Sequence, residues 1–455
     1  MKKIISIFAV LAILFASQGC NIIDHHPAYF EEEEGGDEGP MTGFDIIINE
    51  DGSVLVEGDD GVKRVNSLTK AITDYADKNV VTTEGKKTVP CNNVFILPRG
   101  ASYYIDTKYT VTTSVTIKAA EGNGARPKIQ RLKDVTGTSP SDLLILNKNM
   151  TMESIHVSLE DAADGLMTGS TGIRLKKAGI TFSAVDCLFE CVEKAFVRCD
   201  ASKNKILFID CTIRNAGNVA GVNEGRVVDT RGNDQEMIDF ENCYIYNIQG
   251  DIIRDGNAAA INNIIFRYNT MINIGTRLDF VKPRNMEIVN NIMGNFGWKS
   301  EAQAATDNYL YKGENINVRS FYVMMGVDDA AFDKIASITI TNNNVFETGE
   351  MMSLFHKYPE SAHVEGLDQN GEKLIALGKL TYQDNISEIL KFDNPCPVSY
   401  DWIEAYFQYP GGDKHPEVYE KFKMFYTDKE YTYNYPSTYD SATASTAGGM
   451  IGASL

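Results

Sequence analysis

The chain is poor in the features that mark several common classes of protein. Its 455 residues include 43 Lys and Arg against 62 Asp and Glu, which gives a formal net charge of −19 at pH 7. Binding to nucleic acid depends on clustered cations that release counterions from phosphates, so we expect no nucleic-acid partner. Beyond the first twenty residues, no apolar run is long enough to cross a membrane as a helix.

Cysteine is also sparse, and its distribution argues against two further classes. The cysteines that follow Cys20 are odd in number and scattered over a long chain, unlike those of a disulfide framework. No Cys-x-x-Cys pair and no His/Cys spacing indicates a zinc site. We therefore expect these cysteines to be small buried apolar residues. They are Cys91, Cys187, Cys191, Cys199, Cys211, Cys243 and Cys396.

The first residues form a targeting signal. Lys2 and Lys3 precede an apolar run over residues 4–16, and "ASQGC" follows, ending at Cys20. A run of this length predicts a secretory signal over residues 1–19, because it is too short for a stable transmembrane helix. The pattern resembles a bacterial lipoprotein signal, which implies that Cys20 becomes the lipidated first residue of an outer-membrane protein. The alternative is an ordinary signal peptide cleaved near Gly19.

Residues 20–42 predict a solvated tether. The stretch "NIIDHHPAYFEEEEGGDEGP" holds seven acidic residues and no Lys or Arg. Such a run repels itself and stays extended. It resembles the acidic segment of lipoproteins exported to the surface of Gram-negative bacteria, and this resemblance implies a location on the cell exterior.

A phrase recurs through the middle of the chain: an Asp or Asn, then a short strand of alternating apolar residues, as in "IDCTIRNAG" and "ENCYIYNIQG". Irregular periods of roughly 20–30 residues without helical stripes predict a solenoid of strands. A leucine-rich repeat would need a Leu ladder, and a propeller about twice the period. The predicted fold is therefore all-β, a right-handed parallel β-helix. The Asx residues assigned to its turns are Asp186, Asp210, Asn242, Asn269, Asn291 and Asn344.

An amphipathic helix is predicted before the coils. Within residues 64–78, Leu68, Ala71 and Ile72 form an apolar stripe, with Asn66 or Ser67 as the N-cap. Such a helix would cover the open end of the solenoid. The predicted organisation is an N-terminal cap with the first coils, the main coils with an insertion near 299–330, and C-terminal coils with an aromatic-rich cap. These three segments span residues 43–180, 181–365 and 366–455.

The layout resembles the pectate-lyase-like β-helix superfamily. The resemblance rests on the helical cap, "FILPRG", "TIKAAEGNGARPKI", the Asn-rich coils and the closing "ASTAGGMIGASL". More narrowly, the chain is similar to β-helical surface lipoproteins of polysaccharide-utilisation systems. The resemblance covers most of residues 43–455 and rests on layout. It implies the fold, a carbohydrate partner and an association with an outer-membrane transporter.

Charged residues are predicted to stack on one face of the coils. Aligning "AFVRCD", "RVVDTR" and "DIIRDG" places Arg198, Asp229 and Arg254 in one column. Because adjacent coils lie ~4.8 Å apart, opposite charges would alternate at ion-pair distance, and a register-fixing charge ladder is the first interpretation. The second is a face that binds an acidic polysaccharide, since Arg pairs with carboxylates. Its binding residues would be Arg231, Arg254, Asp255, Arg277 and Asp279.

The same face also permits a lyase interpretation. A lyase of this kind needs a base to remove the proton beside the uronate, and Lys282 or Arg284 would supply it. It also needs a cation, for which calcium held by Asp251, Asp255 and Asp279 is the candidate cofactor. The compact motifs of pectate lyases and the paired aspartates of β-helical glycoside hydrolases are absent from the sequence. The preferred interpretation is therefore a binding protein without a cofactor.

Aromatic residues give a separate indication. Residues 400–439 hold thirteen aromatics, which either cap the end of the solenoid or stack on sugar rings. Trp298 lies just before the predicted insertion and is expected to line a sugar-binding groove. Together these patterns predict a non-catalytic glycan-binding lipoprotein that supports glycan uptake. A polysaccharide lyase and a protein-interaction module of a transporter complex are the alternatives.

Overall fold

The computed structural model describes residues 46–59, 64–167, 169–218, 224–256, 259–299, 310–311, 314–315, 323–324, 332–359, 367, 369–409 and 425–455. The predicted signal, the tether with Cys20 and most of the predicted insertion at 299–330 lie outside the described residues. The described chain is mostly β-structure, as predicted.

Short strands form where apolar and polar residues alternate. In "VTIKA", Val115, Ile117 and Ala119 are buried, whereas Thr116 and Lys118 are partly exposed. This period of two is what a strand with one core-facing side requires. Most strands of the longest sheet, sheet 1, repeat the pattern.

In the described part of the chain, sheet 1 has twelve strands, which are all parallel except the antiparallel first pair. In spatial order they are β1 (Ile46–Ile48), β2 (Val54–Val56), β5 (Val94–Leu97), β8 (Val115–Ala119), β11 (Met150–Glu153), β14 (Thr181–Val185), β17 (Lys205–Ile209), β20 (Gln235–Glu241), β23 (Ala260–Arg267), β26 (Lys282–Val289), β31 (Ser337–Thr341) and β33 (Leu380–Gln383).

Two further parallel sheets run beside it. The described strands of sheet 2 are β6 (Ser102–Ile105), β9 (Lys128–Arg131), β12 (His156–Asp161), β15 (Leu188–Val192), β18 (Thr212–Ala216), β21 (Tyr244–Ile248), β24 (Thr270–Ile274), β27 (Ile292–Phe296) and β32 (Asn344–Phe346). Those of sheet 3 are β7 (Tyr109–Val111), β10 (Asp142–Leu146), β13 (Thr171–Leu175), β16 (Ala195–Cys199), β19 (Arg226–Asp229) and β22 (Ile253–Arg254).

The remaining strands form small pairs. The antiparallel pairs are β3 (Asn79–Val81) with β4 (Thr88–Pro90), and β28 (Leu310–Tyr311) with β29 (Glu314–Asn315). The parallel pair is β25 (Leu278–Asp279) with β30 (Val323–Met324).

The chain visits the three large sheets in rotation. From β5 to β24, consecutive strands belong to sheet 1, sheet 2 and sheet 3 in turn, and each except β22, the edge strand of sheet 3, pairs in parallel with the strand three places later. Long parallel sheets connected in this way are consistent with the predicted β-helix. The inward side chains form one continuous core, in which Phe208 stacks on Phe240 and Phe240 on Phe266 at centroid distances of 5.2 and 5.1 Å.

The turns from sheet 1 to sheet 2 use left-handed backbone, which Asp and Asn tolerate. In these turns, from β11 onwards, the residues with positive φ are Ser154, Asp186, Asp210, Asn242, Tyr268, Asn290, Asn342 and Asp384. Of the residues predicted for the turns, Asp186, Asp210 and Asn242 are left-handed, Asn269 and Asn291 lie in the turns one residue after the left-handed one, and Asn344 is already the first residue of β32. The side-chain amide of Asn269 donates to Oδ1 of Asn291 at 3.0 Å.

The inner positions beside these turns form a ladder that changes from thiols to amides. In the first coils they are Cys187, Cys211 and Cys243, and in the later coils Asn269, Asn291, Asn343 and Asn385. All seven cysteines in the described residues are buried and free, which confirms that prediction.

Four helices have described bounds: α1 (Ser67–Tyr75), α2 (Gly349–Lys357), α3 (Gln369–Ala376) and α4 (Tyr400–Gln408), with a short 3₁₀ turn at Asp440–Ala442. The predicted helix within 64–78 is α1, which packs on β2 and β6 through Leu68, Ala71 and Ile72. Its N-cap, Asn66, makes no side-chain capping bond, because its Oδ1 accepts the backbone N–H of Asp106 at 3.3 Å.

The C-terminal segment, residues 425–455, packs along the outer face of sheet 2. Strands β18, β21, β24 and β27 are buried along their whole length, so both faces of this sheet need a cover. Tyr244 and Tyr246 on the sheet contact Tyr433 from the segment, at centroid distances of 5.5 and 5.3 Å. The described aromatics of this segment, which were predicted to cap the end of a solenoid, therefore cover the outer face of sheet 2, whose outward positions include apolar residues such as Tyr244 and Tyr246.

Candidate functional site

The predicted charged column exists in the register of sheet 3. Arg198 pairs with Asp229 across β16 and β19, and Asp229 pairs with Arg254 across β19 and β22. In the described part of the chain, however, no ion pair joins Asp229 to either arginine. Nε of Arg198 instead lies 2.9 Å from Asp200, and Asp229 lies 3.8 Å from Arg226. The column is aligned as predicted, but its charges are satisfied by neighbouring positions.

Asp200 is the centre of this ion network. Its carboxylate accepts hydrogen bonds from Nε of Arg174 at 2.6 Å and Nε of Arg198 at 2.9 Å, and Arg174 also contacts Asp142 at 3.1 Å. Burial opposes ionisation of Asp200, but these bonds outweigh it and hold the pKa of Asp200 below its ordinary value. The network therefore has the geometry of a structural ladder along sheet 3.

The predicted binding residues of this face differ in accessibility. Arg254 is exposed, and the Arg231 side chain is 47 % exposed and lies 4.0 Å from Asp229. Asp255 and Arg277 are each 5 % exposed, and Oδ2 of Asp255 accepts the backbone N–H of Val281 at 3.0 Å. Asp255 therefore supports the backbone before β26, and the face does not present all its predicted binding residues to a polymer.

The predicted lyase residues do not form a metal centre. Lys282 and Arg284 lie half-buried at the start of β26, and Asp279 lies in β25, which pairs with β30. Among the described residues, no group of three or more His, Cys, Asp or Glu is placed to hold a metal ion. The candidate calcium ligands Asp251, Asp255 and Asp279 thus do not come together, and Asp251 accepts a hydrogen bond from Thr276 at 2.7 Å.

Trp298 does not line an open groove. Its side chain is 1 % exposed, and its ring packs against Trp402 and Tyr406 at centroid distances of 5.8 Å each. Helix α4 supplies both partners and covers the ring. Trp298 is therefore a packing residue in this structure, and its faces are not available for a sugar. The sequence alone could not show that a helix more than a hundred residues later would bury it.

A different concave surface lies where the C-terminal segment meets the turns between sheets 1 and 2. This C-terminal cleft has a volume of about 540 Å³. One wall comes from the ends of β17, β20 and β23, and the other from residues 433–435 and 450–454. The wall residues from the turns are Ile209, Asp210, Glu241, Asn242, Arg267 and Tyr268.

The polar groups on the floor of the cleft are held in place by short hydrogen bonds. The side-chain amide of Asn242 donates to Oδ1 of Asp210 at 2.6 Å, and Oδ1 of Asn242 accepts the backbone N–H of Ser454 at 2.7 Å. Asp210 is partly exposed and has no ion-pair partner in the described part of the chain. Its carboxylate is therefore oriented but not neutralised.

Arg267, which lines the cleft, is bound by a carboxylate on each side. Nη1 of Arg267 lies 2.9 Å from Oε1 of Glu241, and Nε of Arg267 donates to Glu287 at 2.9 Å. The hydrogen bond to Glu287 is the main reason that the pKa of Arg267 lies above its ordinary value. Two carboxylates share one guanidinium, so this group of three has a net negative charge.

Tyr268 is the exception among the turn residues. From β11 onwards, the other left-handed residues of this turn column are Ser, Asp or Asn, whereas Tyr268 has φ 56°, a conformation that is unfavourable for a bulky side chain. Its side chain is partly exposed in the cleft. In the described residues its ring and hydroxyl have no aromatic or hydrogen-bonding partner. The sequence offered a signal here, since Tyr268 precedes Asn269 where Asp or Asn precedes the inner ladder residue in the other coils.

Asp239 lies on the same sheet, two residues before Glu241. It is 7 % exposed, stands between Leu207 and Ile265 in the strand register, and its Oδ1 has no hydrogen-bond partner among the described residues. Burial, with a smaller contribution from Glu241, raises the pKa of Asp239 to about 7. Asp239 therefore holds its proton up to about pH 7, beside the group of Glu241, Arg267 and Glu287, which carries a net negative charge.

The chain was also compared with known proteins. No protein-family model matches it, and no match is found among the curated proteins. In the part of the chain that the structure describes, no helix has the length and apolarity needed to cross a bilayer.

Proposed function

We propose that this chain is a non-catalytic carbohydrate-binding protein that holds an oligosaccharide, or a segment of a polysaccharide, in the C-terminal cleft. The observation that carries the proposal is the cleft, in which the ring of Tyr268 stands beside the polar groups of Asp210 and Asn242. Sites for small ligands have a similar volume, with apolar walls and a few convergent polar groups.

A sugar suits this mixture of groups. The C–H face of a pyranose ring packs on an aromatic ring, and an accessible tyrosine loses little entropy when it is covered. The sugar hydroxyls both donate and accept, so they can donate to the carboxylate of Asp210, which Asn242 orients. Asp210 follows β17 and Tyr268 follows β23, which lies two strands further along sheet 1. The two residues are therefore roughly 10 Å apart along the sheet, a distance that a disaccharide can bridge.

The fold that we propose for the whole chain is a right-handed parallel β-helix of the pectate-lyase-like type, with α1 as its N-terminal cap. The rotation of strands among three parallel sheets supports it, and right-handed crossovers are the rule for parallel strands. In this architecture turn residues of successive coils stack into columns, so a cleft beside a column runs along the solenoid and suits a linear polymer.

The proposal includes a location and a partner. The sequence of residues 1–42 supports a lipid anchor at Cys20 and an acidic tether on the outer face of the outer membrane. A tethered glycan-binding protein would concentrate its ligand near a transporter that imports oligosaccharides. Cys20 and the tether lie outside the described residues.

Lyase activity is not part of the proposal. β-Elimination on a uronate needs a cation and a base in one site. Asp251, Asp255 and Asp279 do not form a metal-binding group, so Lys282 and Arg284 lack the cation partner that the lyase interpretation requires. The absence of unsaturated uronate products, measured by ultraviolet absorbance with and without calcium, is the expected result.

The test is calorimetric titration against a panel of soluble oligosaccharides, with Tyr268→Asn as the principal variant. Asparagine removes the ring but fits the left-handed turn, as Asn242 and Asn290 do in the same column. We expect the variant to keep the wild-type melting temperature or to exceed it, and to lose at least tenfold in affinity for any sugar that the wild type binds.

The matched control is Tyr104→Asn. Tyr104 is also a partly exposed tyrosine, in strand β6 of sheet 2, but it does not line the cleft. Its substitution should leave binding unchanged. If the wild type binds no carbohydrate and recovers a protein partner instead, the chain is an interaction module and the proposal is wrong. Equal binding by wild type and Tyr268→Asn would show that the cleft is not the site.

A further inference from the structure

We propose that the C-terminal cleft selects glycans that carry a positive charge, namely amino sugars with a free ammonium group, over acidic and neutral glycans. This inference rests on the proposed function and names the class of its ligand. It replaces the acidic polysaccharide that the arginines of sheet 3 led us to expect. The argument begins with the charges of the cleft.

The cleft contains no cation that is available to a uronate. Of the described residues that line it, Arg267 is the only Lys or Arg, and it is already bound by Glu241 at 2.9 Å and by Glu287 at 2.9 Å. A bound carboxylate sugar would have to displace one of these partners. It would also approach Asp210, whose charge would repel it. The displacement of a partner of Arg267 and the repulsion by Asp210 both disfavour the binding of an acidic ligand.

Asp210 provides the anion that an ammonium group needs. One of its oxygens accepts the Asn242 amide at 2.6 Å, and Asn242 is fixed in turn by the backbone of Ser454. The other oxygen, Oδ2, has no hydrogen bond or ion pair within the described residues. A charge-assisted hydrogen bond from an ammonium to this oriented carboxylate is stronger than one from a hydroxyl.

A second observation points to the same sign of charge. Asp239 is 7 % exposed and its Oδ1 is unpartnered in the described part of the chain, on the strand that also carries Glu241. Burial is the main cause of the raised pKa of this carboxyl group, and the charge of Glu241 adds to it, although Arg267 opposes the shift. The group of Glu241, Arg267 and Glu287 beside it carries a net negative charge, which attracts a cation towards the cleft.

A metal ion would satisfy the same charges less well. Calcium takes six to eight oxygen ligands, usually with several carboxylates. The described residues form no metal-binding group, and of the cleft carboxylates Glu241 is already paired with Arg267. An ammonium group needs only one carboxylate and a few acceptors. Tyr268 adds a face on which the sugar ring and its cationic substituent can pack.

The experiment compares three oligosaccharides of equal length by calorimetry, at a pH low enough to keep the amines protonated. They are a glucosamine oligomer, its fully N-acetylated counterpart and an oligogalacturonate. We expect the glucosamine oligomer to bind at least tenfold more tightly than the N-acetylated one, and the oligogalacturonate to bind most weakly. The preference should shrink as salt is raised, because it is electrostatic.

Asp210→Asn is the decisive variant, and Asp384→Asn is its control. Both replace an Asp in the same turn column with a residue that tolerates the left-handed backbone, but Asp384 does not line the cleft. Asp210→Asn should abolish the preference for the amino sugar, so that the glucosamine oligomer binds no more tightly than the N-acetylated oligomer. Asp384→Asn should change neither.

The outcomes separate this inference from the proposed function. If none of the oligosaccharides binds, the proposed function fails and the inference with it. If the N-acetylated oligomer or the oligogalacturonate binds as tightly as the glucosamine oligomer, glycan binding stands and charge selection is wrong. A preference that survives in Asp210→Asn would likewise overturn the role of Asp210.

Discussion

At the scale of single residues, Asp239 shows how an unpaired buried carboxyl group makes stability depend on pH. The pKa of Asp239 is about 7 in the folded chain, because burial disfavours the charged form, whereas the ordinary value of 3.8 applies to the unfolded chain. Between these values the folded state holds a proton that the unfolded state has lost. The stability of the protein must therefore decrease as the pH rises from about 4 to about 7.

The prediction concerns Asp239→Asn. The amide removes the buried charge and keeps the shape, so we expect the variant to be more stable than the wild type by about 1–3 kcal/mol at pH 8. The difference should fall towards zero below pH 4, where Asp239 is protonated in both states. Urea denaturation at several pH values measures it, and Asp384→Asn, an exposed Asp, should show no such dependence.

The residue scale also shows what the sequence could and could not predict. The stack of Arg198, Asp229 and Arg254 followed from aligning apolar pairs, because side chains of parallel strands stay in register. Their ion pairs did not follow, since a long arginine side chain reaches several neighbouring positions. The burial of Trp298 depends on Trp402 and Tyr406, which are far away in the sequence.

At the scale of elements, the outer face of sheet 2 contains a buried ionic network. Glu190 in β15 is 3 % exposed and accepts hydrogen bonds from Nη2 of Arg214 at 2.7 Å, while Nε2 of His156 lies 2.7 Å from its other oxygen. Arg214 also donates to the backbone oxygen of Lys429 at 2.5 Å. The network therefore joins three strands of sheet 2 to the C-terminal segment.

This network should contribute strongly to stability. Burial alone would raise the pKa of Glu190, but His156 and Arg214 outweigh it and hold the pKa at about 2. Glu190→Gln leaves the Arg214 charge buried without its partner, so we expect a loss of about 3–5 kcal/mol at neutral pH. In the wild type this contribution is present above pH 4.5 and is lost as the pH falls towards 2.

An exposed ion pair gives the comparison. Lys70 and Asp74 form a pair on the surface of α1, with side chains 51 % and 41 % exposed. Asp74→Ala should cost no more than about 0.5 kcal/mol, because solvent screens the pair. Thermal unfolding of Glu190→Gln and Asp74→Ala compares the buried network with the exposed pair. Similar small losses of stability would mean that the buried network only specifies the position of the C-terminal segment.

The element scale explains why the cleft escaped the sequence analysis. Strand periodicity predicts which residues face inward, and it did so for the three sheets. It says nothing about which later segment covers an outward face. The cleft exists because Ser454 contacts Asn242, more than two hundred residues earlier, and such a contact leaves no local pattern. The Asp and Asn residues of the turns were the one sequence signal for the cleft. At Tyr268 the sequence analysis placed the left-handed turn residue one position too late, at Asn269.

At the scale of the whole molecule, the C-terminal segment is a lateral cover that crosses several coils. Its anchors are spread along the stack: Glu430 contacts Arg126 at 3.0 Å, the backbone N–H of Ser454 donates to Asn242 at 2.7 Å, and Thr446 contacts Asn290 at 3.0 Å. Within the three parallel sheets each strand otherwise pairs only with its neighbours. A segment that joins distant strands should therefore make unfolding more cooperative.

Removal of residues 425–455 tests this role. The deletion uncovers Tyr244, Tyr246 and Ile292, which are at most 2 % exposed in the intact chain. We expect a lower melting temperature, a broader transition and binding of a hydrophobic dye, while far-ultraviolet circular dichroism keeps its β signal because the core of Phe208, Phe240 and similar residues stays closed.

Two point variants distinguish the covering role of the segment from the general effect of deleting part of the chain. Tyr433 of the segment is 1 % exposed where it packs on sheet 2, and Tyr433→Ala should cost about 3–5 kcal/mol, as for other large buried aromatics. Met450 lies in the same segment but is 47 % exposed, so Met450→Ala should change stability by less than about 0.5 kcal/mol. If the deletion leaves the melting temperature unchanged, or if the two point variants behave alike, the segment is not a structural cover, and its contacts serve only to form the cleft.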